Sequence, residues 1–142
     1  LPDIVIDWAK VVAGLPEDRG SYAYAEGKWT IKELLSHLID GERIFAYRVL
    51  RISRGDTTPI EGFEQDDYIA TSRANDRTFA NLIDEFAFER QANLIMVGNI
   101  DDETAKRMGT ASDKPVSVRA LTYIMAGHVK HHLKILADRY LD

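Results

Sequence analysis

The placement of the four prolines constrains this chain more than any other feature: Pro2, Pro16, Pro59 and Pro115 all lie outside its periodic hydrophobic segments. A proline inside a helix removes a backbone donor and clashes with the preceding turn. Their positions therefore leave four long stretches in which helices can run unbroken. The first, about Asp3 to Ala13, carries Ile4, Ile6, Trp8, Val11 and Val12 and stops near Gly14 and Pro16. The second begins at Thr30, which forms a capping-box pattern with Glu33, so that hydroxyl and carboxylate can satisfy orphan N–H groups reciprocally. Apolar residues then recur at Ile31, Leu34, Leu35, Leu38, Phe45, Val49 and Ile52, at helical spacing, up to the break at Arg54-Gly55-Asp56. The third runs from about Asn75 to Val97, with Phe79, Leu82, Ile83, Phe86, Leu94 and Val97 on one stripe. The fourth opens with Ser117 as its N-cap and continues to about Leu141 through Leu121, Ile124, Met125, Ile135 and Leu136.

Four helices with one apolar face each, and no visible strand pair to cover them, must pack on one another. The expected fold is all-α, a four-helix bundle in a single domain over residues 1–142. Two connections, about Gly55 to Thr71 and Asn99 to Val116, exceed the usual helix–helix loop, and long ordered loops are often functional.

Composition narrows the function. With 18 basic and 23 acidic side chains the formal net charge is −5, which offers no electrostatic footprint for a nucleic acid. The longest apolar runs, such as Leu94-Ile95-Met96-Val97, fall far short of the ~20 residues that span a bilayer, and no signal-peptide pattern opens the chain. The expectation is a cytoplasmic protein without nucleic-acid or membrane partners. Cysteine is absent, so any metal must rest on His, Asp or Glu, and no protein thiol can act as nucleophile.

Three of the four histidines, His128, His131 and His132, fall within five positions of the last helix. Residues i and i+4 stand one above the other on a helix, so His128 and His132 can direct both imidazoles at one point. His128 shares a heptad line with Leu121 and Ile135, which turns it toward the core, whereas the line of His131 runs at the core's edge. His131 is then a supporting or surface residue, or the substitute ligand if the register is shifted. His37 sits beside Leu34 and Leu38 in the second helix, with Gly41 one turn later, and Gly127 precedes His128. If the second and fourth helices are neighbours, His37 completes a three-histidine set. Such a set suits Zn²⁺, Ni²⁺ or Fe²⁺ with an open position, the arrangement of a catalytic site. The alternative is that these are hydrogen-bonded core histidines.

The segments Lys28-Trp29-Thr30-Ile31-Lys32-Glu33-Leu34-Leu35-Ser36-His37-Leu38-Ile39-Asp40-Gly41-Glu42-Arg43, Ile60-Glu61-Gly62-Phe63-Glu64-Gln65-Asp66-Asp67-Tyr68 and Gly127-His128-Val129-Lys130-His131-His132-Leu133 resemble the DinB/YfiT-like metalloenzymes across essentially the whole chain. The shared pattern is a Trp at the start of the second helix, a His two turns into it, and an H-x-x-x-H pair in the fourth. The resemblance implies an up-down-down-up bundle, a divalent metal held by His37, His128 and His132, and a homodimer. It also implies a thiol-handling enzyme that uses a low-molecular-weight thiol as cosubstrate, as a transferase or isomerase, or else a metal-dependent hydrolase. No motif selects a subfamily.

A bound dication can lower the pKa of water toward ~7 or hold a small-molecule thiol as its thiolate. Glu33 and Asp40 are placed to support His37, although Glu33 is also the capping residue. Arg43, Tyr47 and Arg48 are either an anion-binding set or a solvated face; Asp40 and Glu42 read as solvated. Trp29, Phe63 and Tyr68 either wall a pocket or staple a loop to the bundle. The rival reading is a non-catalytic metal-binding stress or interaction protein on the same bundle. A carboxylate-bridged di-iron bundle needs Glu-x-x-His on two helices, and the sequence contains none.

Overall fold

The structure, a computed structural model, describes Lys10 and Val12 to Leu141. Of the first expected helix, helical backbone is seen at Lys10, Val12 and Ala13; the rest of that segment, including Trp8, lies outside the described residues. A 3-10 turn at Glu17–Ser21 leads to α1, Ile31–Ser53. Its start is as the sequence predicts. Glu33 N–H donates to Thr30 Oγ1 at 3.1 Å and Thr30 N–H donates to Glu33 Oε1 at 3.0 Å, closing the capping box. At 23 residues α1 is about 34 Å long.

Next come a short helix α2, Gln65–Ala70, and a 3-10 turn at Ala74–Asp76 entered through Arg73 in the left-handed region. The long helix α3, Phe79–Gly98, then starts at an N-cap on Thr78, whose hydroxyl accepts from Asn81 N–H at 3.1 Å. The sequence reading began this helix at Asn75; the 3-10 turn and the extended Arg77 intervene. A single-turn helix α4, Asp102–Ala105, precedes two strands, β1 at Met108–Ala111 and β2 at Lys114–Ser117. The last helix, α5, Val118–Arg139, opens on Ser117, which accepts from Ala120 N–H at 3.0 Å.

The strand pair corrects the expectation that none exists. Met108 pairs with Ser117 and Ala111 with Lys114, in an antiparallel hairpin whose two loop residues, Ser112 and Asp113, have φ of 51° and 65°. Two positive φ angles match the right-handed twist of the flanking strands, but the turn usually signals itself by Asn-Gly or Asp-Gly, and here carries neither. Pro115 inside β2 further hid it, since proline is tolerated only at an edge. Gly109 lets the hairpin lie flat on α1: a Cβ there would meet Ile52 Cδ1 at 2.6 Å.

α1 packs against both α3 and α5. The core divides in two. One cluster joins Ile31, Leu34, Leu35, Leu38 and Ile39 of α1 to Phe79, Leu82 and Phe86 of α3 and Val129 and Leu136 of α5. The other joins Val49 and Ile52 to Ile60, Ala111, Val118, Leu121 and Met125. The N-terminal half of α1 thus meets the N-terminal half of α3 and the C-terminal half of α5. Two long helices that run side by side need a connection that travels back along the bundle, which is why residues 54–78 are long. The site histidines, His37, His128 and His132, stand on α1 and α5 beside the first of these clusters. Ile124, assigned to the stripe by periodicity, is exposed.

Candidate metal centre

His37 of α1 and His128 and His132 of α5 converge on one point, their candidate ligand atoms all within 4.8 Å of one another. Nε2 of His128 lies 3.0 Å from Nε2 of His37. The three ring centroids are 4.7 to 4.8 Å apart, with the rings crossing at steep angles rather than stacking. The helix turn brings His128 and His132 onto one face of α5, and the packing of α5 on α1 brings His37 across. A tetrahedral zinc with Zn–N bonds of 2.0–2.1 Å holds its nitrogens roughly 3.3 Å apart. The observed separations bracket that value, so the three residues fit a small divalent ion.

Electrostatics favour the same occupant. Burial pushes His128 down to about 3 and His132 to about 4, and the neighbouring imidazoles reinforce the shift in both. Burial also lowers His37, partly opposed by the Asp66 carboxylate. All three imidazoles are therefore neutral at pH 7, the form in which a ring nitrogen donates its lone pair. Nδ1 of His132 is buried without a hydrogen-bond partner, a cost that a structure normally avoids.

Several neighbours shape the site. Gly41 lies one turn beyond His37, and a Cβ there would fall 2.6 Å from Cε1 of His128. Only glycine lets that imidazole lie against the α1 backbone. The Trp29 ring stands 4.8 Å from that of His37 and its Nε1 donates to Asp66 Oδ1 at 3.1 Å, which ties the start of α2 over the trio. Phe45 covers the other side, 5.3 Å from the His128 ring. A cavity of about 300 Å³ opens beside His132, walled by Trp29, Tyr24, Asp66, Ile135 and Tyr140.

Other residues singled out in the sequence fall elsewhere. His131 is exposed, its ring 5.1 Å from that of His132. Glu33 is engaged in the capping box, and among the described residues no carboxylate hydrogen-bonds a ring nitrogen of the trio. Among the described residues nothing lies within 4 Å of where a Cβ at Gly127 would stand, so this glycine leaves no special room at the site. Arg43 is paired with Glu85 and Glu89. Tyr47 is exposed, whereas Arg48 is buried. Phe63 and Tyr68 pack on each other, centroids 5.2 Å apart, in the segment between α1 and α3.

Glu42 was read as solvated, and the structure corrects this. Arg90 donates from Nε and Nη2 to its two carboxylate oxygens, each at 2.8 Å, with both side chains 1% exposed. Asn93 Nδ2 adds a third bond at 3.0 Å. Along α1 this pair lies between the two apolar clusters, one residue beyond Gly41. Nothing in the single sequence marks it, because an acid on α1 and a base on α3 look like any two solvated charges.

YfiT from Bacillus subtilis, described as "a probable metal-dependent hydrolase with an unusual four-helix bundle topology", superposes with a TM-score of 0.79 at 11% identity. The match covers 96% of this chain and 81% of that one and shows that the fold is the four-helix bundle. No curated protein matches the chain. The sequence pattern of the DinB superfamily matches residues 7–136, nearly the whole length. The chain belongs to the DinB superfamily.

Proposed function

We propose that this protein is a metal-dependent enzyme acting on a small molecule, with His37, His128 and His132 as the protein ligands of one divalent ion, zinc, nickel or iron. The observation that carries the reading is the convergence of three desolvated, neutral imidazoles from two helices, one with an unpartnered ring nitrogen, beside a cavity. Bound there, the ion supplies Lewis acidity, lowering the pKa of a coordinated water or small-molecule thiol so that a nucleophile is available at neutral pH.

The chain's own residues do the rest. Three protein ligands leave a coordination position for substrate. Trp29 and Phe45 exclude water from two sides of the trio, and Gly41 sets how close His128 comes to α1. Asp66, held by Trp29, stands over His37 and favours positive charge there, whether that charge is a proton or a metal. The chain has no cysteine, so a thiol nucleophile must come as cosubstrate. Thiol transfer or isomerisation is the reading carried from the sequence resemblance; hydrolysis, the reaction named for YfiT, uses the same site with water. The proposal includes a cytoplasmic setting and a homodimer, both resting on the sequence reading. Among the described residues no helix is long and apolar enough to cross a membrane.

The test is turnover by metal-loaded protein on two panels: electrophiles paired with low-molecular-weight thiols, and simple esters and amides. The account expects turnover on one panel that a chelator abolishes and added metal restores. Metal-loaded protein inert on both panels would favour a non-catalytic metal-binding protein.

A further inference from the structure

Arg48 lies eleven residues beyond His37 on α1, three turns on and within about 20° of the same direction, so the two side chains share one face. The residue is 7% exposed. Its Nη2 donates to the Ser112 hydroxyl at 3.1 Å and to the Glu61 carbonyl at 3.4 Å, and its Nε is enclosed with no acceptor. Arg43, Arg51, Arg77 and Arg90 each pair with a carboxylate. Among the described residues Arg48 has no such partner. A buried cation without a counter-charge is costly, and two bonds to neutral oxygens, one of them long, offset only part of that cost.

The guanidinium borders a cavity of about 320 Å³ whose other walls include Ile44, Ile60, Phe63 and Tyr68. That size is at the lower end of ligand pockets, and apolar and aromatic walls stand beside the unpaired charge of Arg48. The hairpin turn that positions Ser112 holds two non-glycine residues at positive φ, which costs free energy and clusters at functional sites. Phe45 touches both centres: its ring is 5.8 Å from Cζ of Arg48 and 5.3 Å from the His128 ring.

We propose that Arg48 is a substrate-anchoring residue, which binds the carboxylate of a small apolar or aromatic acid in this cavity. A single unpaired cation matches a single negative charge. The other lining cation, Arg43, is already neutralised by Glu85 and Glu89. That the acid is the substrate rests on the reading of the histidine trio as the reacting centre; its binding at Arg48 does not.

Phenylacetate, titrated at fixed ionic strength by calorimetry or NMR into metal-loaded and chelator-treated protein, tests this. The expected result is binding in both forms that weakens about tenfold or more in Arg48→Gln, as for loss of a charge-assisted bond. Neutral phenylacetamide should bind as weakly to wild type as phenylacetate binds to that variant. Lys134→Gln, at an exposed residue of α5 outside this cavity, should bind phenylacetate like wild type. Should Arg48→Gln not fold by circular dichroism, Arg48→Lys and the amide comparison decide. No binding to wild type, equal binding of amide and acid, or unchanged affinity in the Arg48 variant overturns the proposal. So does inorganic phosphate that binds more tightly than phenylacetate. A protein that holds no metal yet binds phenylacetate through Arg48 would refute the trio reading and leave this one standing.

Discussion

Gly41 and His128 approach so closely that a single added methyl at position 41 would lie 2.6 Å from Cε1 of the imidazole and 3.1 Å from its Nδ1. Position 41 is mid-helix, where alanine is intrinsically favoured over glycine by about 1 kcal/mol. Gly41→Ala should therefore separate two quantities. Displacement of His128 should weaken metal binding about tenfold or more, while the chelated protein loses little stability because the imidazole can swing away. Competitive zinc titration and thermal melts in chelator check both. Unaltered metal affinity would show that His128 need not sit where it does.

The Glu42–Arg90 pair makes an asymmetric prediction. Removing one partner strands a buried charge, so Glu42→Ala or Arg90→Met should cost about 3–5 kcal/mol, whereas replacing both by apolar residues of similar volume should recover most of it. Urea denaturation of the two single variants and the double variant measures the coupling. Additive losses would contradict the account of a coupled ion pair.

The three lowered histidine pKa values fix the sign of a pH dependence in chelated protein. An unfolded histidine titrates near 6.5, while the folded protein keeps His128 neutral to about 3 and His132 to about 4. Between these limits the unfolded state binds more protons, so stability is complete above about pH 6.5 and falls as pH drops toward the folded values. His128→Leu should flatten that fall between pH 6.5 and 4. Equilibrium denaturation across the range measures it, and a slope identical to wild type would mean that His128 is already protonated in the native state.

The hairpin turn carries Asp113 at φ 65°, a region that glycine enters without strain. Asp113→Gly should stabilise the protein by about 1 kcal/mol and leave the metal site unaffected. A lower melting temperature would mean that the aspartate side chain holds the turn.

What the sequence made legible follows physical range. Thr30 and Glu33, Ser117, and the His128/His132 pair act over one helical turn, and each stands where local spacing predicts. The apolar stripe of α1 was readable for the same reason, and it carries His37 to the site. Local rules failed where partners lie far apart in sequence. Glu42 and Arg90 are 48 residues apart, and their charges differ from solvated ones only after folding. The burial of Arg48 depends on a hairpin whose strands have four residues each and no glycine in the turn. Ile124 shows the converse: its spacing fits the stripe of α5, yet it is 41% exposed.

The central claim is that His37, His128 and His132 hold one metal ion, and metal content tests it most directly. Protein purified without chelator should contain about one divalent ion per chain by elemental analysis. His131→Ala should keep it, and His37→Ala, His128→Ala and His132→Ala should each lose it while remaining folded. Wild-type protein that takes up no divalent metal, or a His128→Ala variant that retains it fully, would contradict the account.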